Sequence, residues 1–140
     1  MLSMAELDQQ EIQYIAECIY PYECCGFLIG NSQEDMKRVE RIEVAENRRF
    51  DSPANRFLIT PEQFKEIENN LRTNGGEIIG FFHSHPDVEA RPSSYDLNHA
   101  WPWYSYVIVS VRDGSSVGFT SWQLEEDRSA FRQEQIHFSS

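Results

Sequence analysis

The sequence predicts an α+β fold: a curved, mixed β-sheet flanked by two longer helices. Three observations lead there. Two segments carry apolar residues at helical spacing, with start and stop signals at their ends. Several short apolar runs, bounded by glycine, proline or polar clusters, read as strands. No repeat, low-complexity tract or Pro/Gly/Ser linker divides the 140 residues, so a single domain over 1–140 is expected.

The first helix is expected from Met4 to Tyr20. Ser3 and Glu6 stand at capping-box spacing, Ile12, Ile15, Ala16 and Ile19 form an apolar stripe, and Pro21 ends the run. Cys24 to Gly30 reads as a short buried strand, and Val39, Ile42 and Val44 as a second, with a partner near Arg56 to Ile59. Thr60-Pro61-Glu62-Gln63 is a strong helix start, with Thr60 at the cap and Pro61 at the first helical position. Phe64, Ile67 and Leu71 give this helix its inner face, and Asn74-Gly75-Gly76 stops it.

Ile78 to Phe82 is another buried strand, running straight into His83-Ser84-His85-Pro86. A loop from Asp87 to Pro92 precedes a short helix opened by Ser93 or Ser94. Tyr106 to Val111 reads as a central strand, Asp113-Gly114 as a turn, and Val117 to Leu124 as the returning strand. Phe131 to Phe138 is expected to pair as an edge strand.

Composition narrows the function classes. Twelve basic against 23 acidic residues give a net charge of −11. Non-specific nucleic-acid binding needs clustered Lys and Arg, so that class is disfavoured. The acidity is compatible with a basic protein partner but identifies none. No run of about 18 apolar residues occurs, so no membrane span is expected. The first six residues lack the basic and apolar segments of a secretory signal, and a soluble, cytoplasmic chain is expected. Cys18, Cys24 and Cys25 make no disulfide framework, and no distant second Cys pair completes a thiolate zinc site. Cys24 and Cys25 read as small apolar residues of a buried strand.

His83 and His85 are i and i+2 at a strand end, so their imidazoles point to one face. Asp96 follows His85 by 11 residues, across a loop and onto the first turn of a helix, close enough to return a carboxylate to the same point. Two imidazoles and one carboxylate leave a fourth tetrahedral position open, as in catalytic rather than structural zinc sites. Each signal alone has an ordinary explanation. Surface strands carry His-x-His by chance, and Ser93-x-x-Asp96 is a respectable helix cap with no chemistry attached.

Taken whole, His83-x-His85-Pro86, six residues, then Ser93-x-x-Asp96 resembles the JAMM motif of the MPN+ metalloproteases. Upstream, Glu23-Cys24-Cys25-Gly26-Phe27-Leu28-Ile29-Gly30 is similar to the strand that follows a glutamate in that family. The resemblance implies the MPN fold (cytidine-deaminase-like), a Zn2+ ion held by His83, His85 and Asp96, Glu23 as general base, and Ser93 as stabiliser of the tetrahedral intermediate. These roles make chemical sense. One carboxylate can take a proton from water and deliver it to the leaving amine. A hydroxyl can donate to the former carbonyl oxygen.

With only six residues between Pro86 and Ser93, the chain looks like the compact prokaryotic branch. The resemblance then implies a small ubiquitin-like sulfur-carrier protein as partner, cut at its flexible C-terminal tail, which would enter as an added strand. Three other readings compete: a non-catalytic MPN-type interaction module, a nucleic-acid-associated relative of the same fold, and a zinc hydrolase or deaminase of small molecules. The first would lack ligands, and here all five positions are filled. The acidic balance opposes the second. Deaminases favour a Pro-Cys-x-x-Cys segment, absent here. Trp101 and Trp103 read as core or interface aromatics, His99 as packed or supporting the ligands, and Ser84 as a hydrogen-bonding neighbour of the two histidines.

Overall fold

The structure is a computed structural model that describes residues 1–45 and 60–140. The strand expected near Arg56 to Ile59 lies outside the described residues. Along the chain run β1 (Leu2–Ala5), α1 (Glu6–Ile19), β2 (Cys25–Gln33), β3 (Met36–Ala45), α2 (Pro61–Asn74), β4 (Glu77–Pro86), α3 (Ser94–His99), β5 (Ser105–Arg112), β6 (Ser115–Leu124), β7 (Phe131–Glu134) and β8 (Ile136–Ser139). The strands form one mixed sheet in the order β7-β6-β5-β4-β2-β3-β1-β8. This is the α+β architecture expected: among the described residues, an eight-stranded curved sheet with three helices.

The two ends of the sheet are consecutive in sequence. β7 and β8 occupy opposite edges, yet only Gln135 separates them. In a flat sheet seven strand spacings would set the edges about 34 Å apart, whereas one residue reaches only about 3.5 Å. The sheet must therefore curl until its edges meet at this corner. Leu2 N–H closes it, donating to the Gln135 carbonyl at 3.1 Å. The single edge strand expected over 131–138 is thus two strands, divided because each half serves a different edge.

The first helix starts two residues later than expected, and the Ser3–Glu6 capping box does not form. Ala5 occupies the cap position with no side-chain hydrogen bond. Leu2 and Met4 instead alternate inward from β1, buried at 0% and 1% exposure, in parallel pairing with β3 and β8. Ladder bonds on both sides and two buried side chains outweigh one local cap. In α2 no such competitor exists, and the expected box is present: Gln63 N–H donates to Thr60 Oγ1 at 3.2 Å, and Thr60 N–H to Gln63 Oε1 at 2.8 Å.

Two apolar layers lie on the two faces of the sheet. Ile12 and Ala16 of α1 pack with Leu28, Phe82, Val107 and Val109. On the other face Leu71, Phe64 and Ile67 of α2, with Leu97 of α3, cover Phe27, Phe81 and Tyr106. Gly80 permits the central pairing of β4 with β5, since a Cβ there would lie 2.2 Å from the Ser105 carbonyl oxygen. No described helix is long and apolar enough to cross a membrane.

Candidate metal centre

β4 emerges from the middle of the sheet, between β2 and β5, and carries His83 and His85 on the face covered by α2 and α3. Both rings are buried, at 1% and 6% exposure. α3 begins at Ser93, whose hydroxyl accepts from Asp96 N–H at 3.1 Å while Ser93 N–H donates to Asp96 Oδ2 at 2.8 Å. The cap that explains Ser93-x-x-Asp96 without chemistry is therefore real. It also aims the carboxylate: the same Oδ2 lies 3.3 Å from His83 Nε2 and 3.2 Å from His85 Nε2.

The two Nε2 atoms are themselves 3.1 Å apart. The three donor atoms thus form a nearly equilateral triangle of 3.1–3.3 Å. A tetrahedron with metal–ligand bonds of about 2.0–2.1 Å has an edge of about 3.3–3.4 Å. The triangle matches one face of it.

Hydrogen-bond chemistry makes the same case. His85 Nδ1 lies 2.9 Å from the Glu89 carbonyl oxygen. A carbonyl only accepts, so Nδ1 carries the proton, and in the neutral ring Nε2 is a bare lone pair. That lone pair faces an Asp96 oxygen, another acceptor. Only a cation or a shared proton makes this contact attractive, and the residues present fit a divalent metal. Among the described residues they are the one group of this kind.

The electrostatics agree. Burial lowers the pKa of His83, against the opposing pull of Asp96, and so favours the neutral, ligating ring. Burial alone would raise the Asp96 carboxyl. Its contacts with the His83 and His85 rings and the hydrogen bond from Ser93 N–H outweigh it and hold the group well below the ordinary carboxylate range.

Glu23 is buried, at 3% exposure, where the chain enters β2. Cys25 pairs with His83, and Cys24 and Ser84 are joined backbone to backbone. Glu23 thus stands next to the Cys24–Ser84 contact, two positions before the paired residues of β2 begin. Ser93 is exposed at the start of α3, where its oxygen accepts from Asp96 N–H. Cys24 and Cys25 are buried as expected, at 4% and 0% exposure.

Beside the centre lies a cavity of about 820 Å³ between α2 and the 92–106 segment, reached by His83 and Asp96 and walled by Phe64, Phe81, Tyr95, Trp101, Tyr104 and Tyr106. Trp101 and Trp103, expected in a core or interface, are not core residues: they are 64% and 40% exposed. Pro102 and a positive φ of 82° at Trp103 turn this segment outward. His99 is exposed and stacks on Tyr95 at 4.1 Å between ring centroids, with Nδ1 2.8 Å from the Tyr95 carbonyl oxygen. It stands apart from the ligand triangle.

Sequence reasoning missed the Glu89 carbonyl, which as backbone has no residue signature, and the groove itself, whose aromatics come from segments far apart in sequence. It also passed over Ser110, a lone hydroxyl inside the apolar run 106–111. That interruption was a usable signal.

Comparison with known proteins places the chain. Residues 7–125 match the family described as prokaryotic homologs of the JAB domain. A protein of Haloferax volcanii named desampylase is 34% identical over 64% of this chain and 63% of its own length. Tail tip assembly protein K of Escherichia phage N15 is 34% identical over 68% of this chain and 35% of its own. A second desampylase, from Pyrococcus furiosus, is 29% identical over 74% and 68%. The chain thus spans less than two thirds of the first two relatives. A solution structure from Desulfitobacterium hafniense superposes with a TM-score of 0.85 at 30% identity, covering 99% of this chain and 93% of that one. A JAB1/MPN domain protein from Archaeoglobus fulgidus, at 18% identity, shares the fold, with a TM-score of 0.56 over 100% and 97% of the two chains. With residues 7–125 matched and His83, His85 and Asp96 brought together in space, this chain belongs to the prokaryotic JAB-domain family.

Proposed function

We propose that the protein is a zinc-dependent peptidase or isopeptidase that hydrolyses an amide bond at the C-terminal tail of a small ubiquitin-like protein, of the sulfur-carrier kind. The observation that carries this is the triangle of two imidazole nitrogens and one carboxylate oxygen, 3.1–3.3 Å on each edge, with the fourth tetrahedral position left for chemistry. The two relatives named desampylase support the substrate class.

Zinc, when bound by His83, His85 and Asp96, would supply Lewis acidity, acidifying a water and polarising the scissile carbonyl. The remaining steps belong to the chain. Glu23 takes the proton from the attacking water and passes it to the leaving amine, so that one buried carboxylate serves in turn as base and acid. Ser93 donates its hydroxyl proton to the carbonyl oxygen as negative charge gathers there. The aromatic groove seats residues next to the scissile bond. Among the described residues β2, β4 and β5 each have a neighbouring strand on both sides in the sheet order. The groove is the entrance this reading uses, in place of strand addition.

The test has two readouts: zinc per chain after purification, and cleavage of a C-terminally extended ubiquitin-like protein by wild type and by Glu23→Gln. One zinc per chain, cleavage by wild type and none by E23Q is the expected result. Zinc without cleavage of any such tail would favour a small-molecule hydrolase. A His83→Ala variant that bound zinc and cleaved normally would overturn the ligand assignment.

A further inference from the structure

Loop 87–92 joins the two halves of the metal motif, and its backbone groups are held one after another. In the parallel pairing of β4 with β5, His83 lies beside Ile108 and His85 beside Ser110. In the antiparallel pairing of β5 with β6, Ile108 lies across from Thr120 and Ser110 across from Gly118. His83, His85, Ser110 and Thr120 therefore share one face, and the loop crosses it. Asp87 N–H donates to the Val111 carbonyl at 2.6 Å, and the Ser110 hydroxyl donates to the Val88 carbonyl. The Thr120 hydroxyl donates to the Ala90 carbonyl at 2.6 Å.

The direction of these bonds is fixed by chemistry. An indole N–H only donates, and that of Trp122 points at Thr120 Oγ1 from 2.8 Å. Thr120 accepts there, which commits its own proton to Ala90. The same Ala90–Arg91 peptide is held at its other end, because Arg91 N–H donates to the Glu89 carbonyl at 2.8 Å. That carbonyl also receives His85 Nδ1–H at 2.9 Å. One peptide unit thus connects the Thr120 hydroxyl to the imidazole of a candidate ligand.

We infer that Thr120, braced by Trp122, is a positioning residue for His85: through the Ala90–Arg91 peptide it holds the Glu89 carbonyl where it fixes the Nδ1–H tautomer and presents Nε2 to the metal. This rests on His85 being a ligand. Removing such outer support typically weakens metal binding about 10- to 100-fold.

The experiment measures zinc affinity by competition with a chromophoric chelator, and the His85 tautomer by 15N NMR of the metal-free protein. Thr120→Val keeps the shape and removes the donor. It is expected to bind zinc about tenfold more weakly or worse and to lose the His85 Nδ1–H signature, while Thr120→Ser stays within about threefold of wild type. In a His85→Ala background, T120V should change affinity less than about twofold, since the group it positions is gone. Trp122→Phe, which leaves Thr120 but removes its brace, gives the same readout should T120V fold poorly, and a severalfold loss is expected. Unchanged affinity in T120V or W122F, or an equal loss with and without His85, would overturn the inference. Wild type that binds no zinc would instead remove the metal reading, and this inference with it.

Discussion

Ser84 and Cys24 hold each other twice: Cys24 N–H donates to Ser84 Oγ at 2.8 Å, and Ser84 N–H donates to the Cys24 carbonyl at 3.1 Å. Ser84 stands between the two candidate histidine ligands, and Cys24 immediately follows Glu23. The pair therefore ties the proposed base to the strand that carries the candidate metal ligands, from the opposite face of that strand. Ser84→Ala would leave the Cys24 N–H buried without that partner, at a cost of about 1–3 kcal/mol. It would also loosen Glu23 without touching the ligand atoms. The expected outcome is a kcat at least about tenfold lower with zinc per chain unchanged, measured on the same tail substrate. Loss of zinc in S84A would assign Ser84 to ligand support instead.

Metal binding should be visible in stability as well as activity. The triangle brings two acceptors, His85 Nε2 and Asp96 Oδ2, to 3.2 Å, a contact that a cation relieves. Free zinc at 100 times its Kd stabilises a folded chain by about 2.7 kcal/mol, roughly 10 °C in Tm for a domain of this size. Wild type should show this rise in a thermal scan on going from chelator to zinc. His83→Ala and Asp96→Ala should show little of it. A rise of the same size in both variants would place the ion elsewhere.

How far the sequence discloses this molecule depends on where each determinant lies. α2 and α3 are legible because their caps are local: Thr60 with Gln63, and Ser93 with Asp96, close over three residues. The start of α1 is misread for the opposite reason. Ser3 and Glu6 have the right spacing, but Leu2 and Met4 are claimed by strands 36–45 and 136–139, far away in sequence. The candidate ligands are legible because i and i+2 on a strand and the third residue of a helix are fixed directions in space. The Glu89 carbonyl and the Thr120 relay are not, since a backbone oxygen has no letter and a threonine in a strand has many ordinary uses.

The two buried thiols set a pH dependence of their own. Burial pushes Cys24 up to about 11 and Cys25 up to about 12, from an ordinary value of 9.0. For both, the folded pKa lies above the unfolded one. Their contribution is therefore fully present below about pH 9 and is lost as pH rises towards 11–12. Between pH 8 and 10 the unfolded chain sheds two protons that the folded chain keeps, which costs about 2–3 kcal/mol of stability. Urea unfolding should show this decline, and Cys24→Ala/Cys25→Ala should flatten it. At pH 8 a thiol reagent should modify exposed Cys18 quickly and the buried pair only on unfolding. Rapid labelling of three thiols in the native protein would contradict this.

Trp101 tests the groove. Its ring is 64% exposed, lines the cavity that reaches His83 and Asp96, and carries the Arg128 guanidinium 5.2 Å from its centroid. So much exposed apolar surface beside a candidate catalytic centre contributes little to folding and is available to a substrate. Trp101→Ala should therefore lower Tm by no more than a few degrees, since little buried area is lost. If the groove seats the residues flanking the scissile bond, the contact is made in both ground and transition states. KM for the tail substrate should then rise about tenfold with kcat nearly unchanged. A fall in kcat at constant KM would mean that Trp101 acts on the reacting groups. No change in either would mean that the tail approaches from another side.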